Sequence, residues 1–306
     1  MTILPGYEPR SGTIPAKVNY ELSVEYQIEK LLFISSALST CLKRESITDV
    51  RHPNDFQNIT YFHFDSLITS VATLAEYYFS NVIYSVFGTI LDEPETTHFA
   101  GFVNGVYEEQ KGKAFKRYKL GQRVKGNTEE KNEYLATCNE KFDETIKFLF
   151  KGKYDVLFNI SNYIKHNCRI RGFCLKFRYD IKTHHFVNFT SDNAFMLKPC
   201  LMKSLILVPY KEDADSLSQF YDYAGESFEL VDKTGGIQYL RKDEVIYVKS
   251  KGFAGITTTS IILLSLELSK KIIDVLITHD KGAVTRLKNL DLLRQQLDEA
   301  LKEHKY

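Results

Sequence analysis

Residues 154–171 read YDVLFNISNYIKHNCRIR, and the fold turns on how this stretch is placed. Val156, Leu157, Ile160, Tyr163 and Ile164 recur at spacings of three and four, which predicts a helix with one apolar face. Asn162 and His166 lie four apart and stack on one side of that helix, and Asn159, three before Asn162, joins them. A helix this apolar packs against others. Its amide and imidazole groups then need partners or a ligand, or they form a solvated helix end.

Residues 65–88, DSLITSVATLAEYYFSNVIYSVFG, have the length and apolar density of a long core helix. Asp65 or Ser66 is the expected cap and Gly88 the expected stop. Glu76 sits inside the apolar run. Ser80, four residues on, shares its face; Asn81, five on, is more oblique. A carboxylate there is costly unless paired or hydrogen-bonded, and the Asn162–His166 side is the expected partner.

These two polar sets resemble the HEPN superfamily, small helical domains common in prokaryotic toxin–antitoxin, abortive-infection and CRISPR systems. Many members are metal-independent endoribonucleases whose motif is Arg, four to six residues, then His. His166 falls on the family's histidine and Asn162 on its polar position. Ser161 stands where the arginine would be, and Ile160 and Asn159 do not supply one either. Glu76, Ser80 and Asn81 match the accessory polar motif. The resemblance covers residues 58–171. It implies His166 as general acid or base, Asn162 orienting it or the phosphate, Lys165 or a residue of the basic loop as substitute cation, no metal or cofactor, and pairing of two copies around one cleft. A serine cannot supply the charge that a guanidinium brings to a scissile phosphate. The sequence therefore leaves two readings: a protein acting on or binding RNA, or a non-enzymatic scaffold using the same fold to bind another protein.

The whole chain bounds these readings. It has 306 residues, 43% hydrophobic and 26% charged, with 21 Phe and 19 Tyr, a composition that favours a packed core over disorder. A net charge of +1 gives no global pull toward nucleic acid, so any such attraction must be local. The local candidate is 111–125, KGKAFKRYKLGQRVK, where Lys111, Lys113, Lys116, Arg117, Lys119, Arg123 and Lys125 interleave with Phe115 and Tyr118. Such a segment can track a phosphate backbone and stack bases, or be a solvated loop. Five scattered cysteines with no zinc spacing suggest reduced thiols in a cytoplasmic protein. His184 and His185 are adjacent on an expected strand and point to opposite faces, so they do not converge on a metal. The apolar stretch 256–268 is short and stopped by Glu267, too little to span a membrane.

Periodicity places the remaining elements. A helix is expected over 18–44, with Leu22, Tyr26, Glu29, Phe33, Ala37 and Leu38 at helical spacing and Leu31, Leu32 and Ile34 widening the apolar face, followed by a loop over 48–58. A short helix is expected over 100–109 and a longer one over 129–149. From Gly172 the period becomes alternating: Phe173, Leu175, Phe177 and Tyr179 form one strand, with 185–190, 204–209, 238–240 and 245–248 as others. An acidic, aromatic stretch around 216–223 reads as a helix. Apolar helices follow over 257–277 and 283–306, the latter with Leu287, Leu290, Leu293, Leu297 and Leu301 in register. The expected fold is α+β, mainly α. A HEPN-like helical core spans 18–171 with a basic loop at 111–127. An antiparallel sheet is inserted at 172–250, and C-terminal helices at 256–306 pack on the core.

Overall fold

Two long helices form the spine of the fold: α1 (Ala16–Ile47) and α2 (Pro53–Phe87), packed against each other along their length. The computed structural model describes residues 16–47, 53–87, 99–117, 127–150, 152–166, 172–173, 177–180, 185–188, 205–208, 229–234, 237–242, 245–250, 253–279, 287 and 289–304. Among these, α3 (Phe99–Asn104), α4 (Tyr107–Arg117), α5 (Thr128–Phe150) and α6 (Asp155–His166) complete an N-terminal helical layer. After the strands come α7 (Thr258–His279) and α8 (Leu290–His304). The protein is α+β and mainly α.

The buried stripe of α1 matches the expected one in part: Leu31, Ile34 and Leu38 lie in it, Leu22, Tyr26 and Phe33 do not. Val24, Ile28, Leu31 and Leu38 are fully buried, whereas Leu22, Tyr26 and Phe33 are 39%, 61% and 73% exposed. α1 is apolar on two sides, and spacing alone cannot say which one its neighbours α2, α7 and α8 cover. α2 also starts earlier than expected. Residues 53–58 are helical, with Pro53 first, where its fixed φ suits a helix and its missing N–H costs nothing. Asp65 is thus an interior residue whose carbonyl accepts from Thr69 Oγ1 at 2.8 Å, and neither it nor Ser66 caps α2.

α5 opens with a reciprocal cap. Asn127 Oδ1 accepts from the Glu130 N–H at 2.9 Å, and Glu130 Oε2 accepts from the Asn127 N–H at 3.0 Å. Residues 100–109 hold parts of two helices rather than one. The basic segment is helical as far as Arg117, not a loop from 111; residues 118–126 lie outside the described set, as does the expected helix at 216–223.

Six strands form an antiparallel sheet in the order β1 (Gly172–Phe173), β4 (Leu205–Val208), β8 (Phe253–Thr257), β7 (Val245–Ser250), β6 (Ile237–Lys242), β5 (Glu229–Thr234). β2 (Phe177–Asp180) and β3 (His185–Asn188) pair separately, Phe177 opposite Asn188 and Asp180 opposite His185. The single strand expected over 173–179 is therefore two strands in two sheets. The sheet also continues to Thr257, past the expected end at 250, because β8 pairs with both β4 and β7. At that junction Thr257 Oγ1 and Ser260 Oγ are 2.7 Å apart, and the Ile246 N–H donates to Ser260 Oγ at 2.8 Å. This buried cap ties α7 to the sheet. Val245, Tyr247 and Ile256 join the same hydrophobic cluster as the helices, so strands and helices share one core.

Candidate functional site

α2 and α6 pack together, and α3 lies across their contact. The packing follows from an aromatic cluster. Phe99 of α3 meets Phe79 of α2 edge-on at 5.9 Å and Phe158 of α6 at 5.2 Å, with Phe150 at 5.3 Å behind it. Above this floor lies a cavity of about 200 Å³, lined by Ala72 and Glu76, by Phe99, Ala100 and Val103, and by Phe158, Ser161, Asn162 and Lys165. Lys165 Nζ sits 3.7 Å from Glu76 Oε1, an ion pair bridging α6 and α2 at the mouth. Both side chains are more than 40% exposed, so Glu76 is not a buried charge in need of rescue; it is a solvated carboxylate at a rim. Deeper in, Ser161 is buried and its hydroxyl oxygen has no hydrogen-bond partner among the described residues. Asn162 is half-buried beside it.

The structure thus brings Glu76, Ser161, Asn162 and Lys165 to one cavity. Ser80 is buried nearby, but its hydroxyl donates to the Glu76 carbonyl at 2.9 Å, satisfying the helix backbone rather than a ligand. Asn81 does not join them: five residues on from Glu76 is about 140° round a helix of 3.6 residues per turn, and Asn81 lines a different cavity. His166 is the last residue of α6, one turn beyond Asn162; its side chain lies outside the described residues.

The basic segment divides. Lys111 is buried, its ammonium donating to both Asp143 oxygens at 2.9 Å and lying 3.2 Å from Glu108. Tyr107 donates to Asp143 Oδ1 at 2.9 Å. Burial raises the Asp143 carboxyl, but the hydrogen bonds from Lys111 and Tyr107 and the charge of Lys111 outweigh it and hold Asp143 below its ordinary value. The same pairing, against burial, holds Lys111 above its own. Lys111 is a structural cation pinning α4 to α5, its ammonium turned to Asp143 and Glu108. Lys113 and Lys116 are exposed; the side chains of Arg117, Lys119, Arg123 and Lys125 lie outside the described residues.

Sequence spacing missed the Lys111–Asp143 pair because its partners are 32 residues apart. It also missed α3 as a wall of the cavity, since Phe99 and Val103 carry no polar signal. Among the described residues, no group of three or more His, Cys, Asp or Glu is placed to hold a metal ion, and no helix is long and apolar enough to cross a membrane. No protein-family model, curated protein or solved structure matches the chain.

Proposed function

We propose that this chain is a degenerate HEPN-like protein of a prokaryotic defence or toxin–antitoxin type, cytoplasmic and homodimeric, that binds RNA and cleaves it weakly or not at all. One observation carries the reading. Polar residues from α2 and α6, separated by some ninety positions in sequence, meet around one cavity just ahead of the helix end that bears His166. Its described cation, Lys165, is a point charge already engaged with Glu76, a poor substitute for a guanidinium fork on a phosphate. That favours binding over turnover. Exposed Lys113 and Lys116 supply local positive charge.

Fluorescence anisotropy with a labelled single-stranded RNA in EDTA tests this. Binding is expected to weaken steeply with salt, and Lys113→Glu with Lys116→Glu to weaken it further at fixed salt. Any cleavage should persist in EDTA and fall ~10²-fold or more in His166→Ala, the scale of general acid–base catalysis. No association at low salt would sink the RNA reading. The second reading, a non-enzymatic interaction protein, would then lead.

A further inference from the structure

A second cavity, of about 230 Å³, opens where α2, α5 and α7 meet. Its lining is mainly polar, with an apolar part supplied by Val82 and Val86 from α2 and by Val275 and Leu276 from α7. Most of its polar atoms are already used. Tyr78 OH donates to the Thr145 carbonyl at 2.6 Å, and Thr145 Oγ1 donates to the Lys141 carbonyl at 2.7 Å. His279 Nδ1 faces Glu144 at 3.8 Å. Three groups are not used. Asn81 is 2% exposed, and its Oδ1 has no hydrogen-bond partner among the described residues. Ser85, one turn on along α2, has a buried hydroxyl oxygen that likewise has none among them. Lys141 lines the cavity and makes no ion pair among the described residues.

Buried polar atoms are normally paired, because leaving one unpaired forfeits its hydration with no return. Two polar atoms on adjacent turns of one helix, without partners among the described residues, stand beside Lys141 and a few valines and give this cavity a definite chemistry. The ammonium calls for an anionic head. The amide oxygen calls for a hydrogen-bond donor. The hydroxyl can serve either, and the valines suit a short carbon body. We propose that this cavity binds a small hydroxylated anion, its head on Lys141 and its hydroxyl on Asn81 and Ser85. The site is separate from the α2–α6 cavity and does not rest on the RNA reading. It also gives Asn81 a role on the face of α2 to which the helix turn directs it.

Three probes separate the possibilities by titration calorimetry: glycerol 3-phosphate, 3-hydroxybutyrate and inorganic phosphate. A hydroxylated probe should bind with a Kd near or below about 1 mM, at least tenfold more tightly than inorganic phosphate. Whether phosphate or carboxylate is the head follows from which hydroxylated probe wins. Lys141→Met should abolish this binding. Asn81→Leu should abolish it as well, yet raise the melting temperature of the ligand-free protein, because it removes an unpaired polar group without emptying the space. That opposite movement of binding and stability separates a ligand site from a packing defect. Binding of inorganic phosphate as tightly as the hydroxylated probes, no binding by any of them at millimolar concentration, or undiminished binding in both variants would overturn the proposal.

Discussion

Lys111 shows how a residue's neighbourhood decides its meaning. In sequence it opens a basic run; in space it is the one member of that run shown to be held by carboxylates, Asp143 and Glu108. Removing it leaves Asp143 three-quarters covered and facing the Tyr107 hydroxyl without a counter-charge. Lys111→Met should cost about 2–3 kcal/mol, just under the 3–5 kcal/mol of a fully buried pair because Asp143 keeps some solvent contact. Lys113→Met, exposed one turn-half away, should stay within about 0.5 kcal/mol. The pH dependence has a definite sign. Asp143 is depressed in the folded state, so its contribution is present above the ordinary carboxylate range and lost as pH falls through its lowered value. Lys111 is raised, so its contribution holds below the ordinary lysine range and fades as pH climbs through the raised value. Denaturant melts of wild type and Lys111→Met should therefore differ most across neutral pH and converge in strong acid. A gap unchanged at low pH would show that the pair contributes packing rather than charge.

At the scale of elements, the link from α5 to α6 determines where the candidate site residues stand. Gly152 carries it, with a φ of 139°, a conformation L side chains rarely adopt. A Cβ built there meets nothing within 4 Å, so the demand comes from the backbone and not from crowding. Gly152→Ala should destabilise by about 1–3 kcal/mol, the usual cost of such strain, and loosen the Glu76–Lys165 contact as α6 shifts. A melt showing no loss would mean the link relaxes freely. What the sequence discloses about elements has the same physical logic. The helices around Glu76, over 129–149 and over 257–277 were legible because long apolar periodicity survives any environment. Starts and faces were not. Pro53 reads as a loop residue until the helix it begins is seen, and α1 has two apolar faces of which tertiary packing covers one. β8 was hidden because Phe253–Thr257 includes Gly255 and runs straight into an apolar helix, so its short strand signal merges with the longer helical one. The meeting of Glu76 with Asn162 and Lys165 was legible through polar residues set in apolar helices. The departure of Asn81 was not, because an oblique position is assigned to one side or the other only by the neighbours that flank it.

For the molecule as a whole, the uncovered face of α1 bears on assembly. Tyr26, Glu29, Lys30 and Phe33 stand at i, i+3, i+4 and i+7, all exposed on one side. The set is self-complementary in a way that favours a second copy. Place a two-fold axis between positions 29 and 30 and run the two α1 helices antiparallel. Tyr26 then faces the partner's Phe33, and Glu29 faces the partner's Lys30, so rings meet rings and opposite charges meet at the centre. Leu22 falls opposite the partner's Ala37. An isologous contact requires this kind of pairing, in which one patch matches itself. One helix pair covers less than the roughly 800 Å² per partner of a standard interface, so the dimer should be of moderate affinity rather than obligate. Sedimentation across the micromolar range should show a monomer–dimer equilibrium. Phe33→Glu should shift it to monomer while leaving the melting temperature of the monomer unchanged, since Phe33 is 73% exposed and outside the core. Glu29→Lys alone should weaken the dimer by setting like charges opposite each other, and Glu29→Lys with Lys30→Glu should restore it by exchanging the pair across the axis. Rescue by the double exchange identifies this antiparallel register. A dimer indifferent to all three variants would place the contact elsewhere, and a chain that stays monomeric at every concentration would remove the assembly altogether.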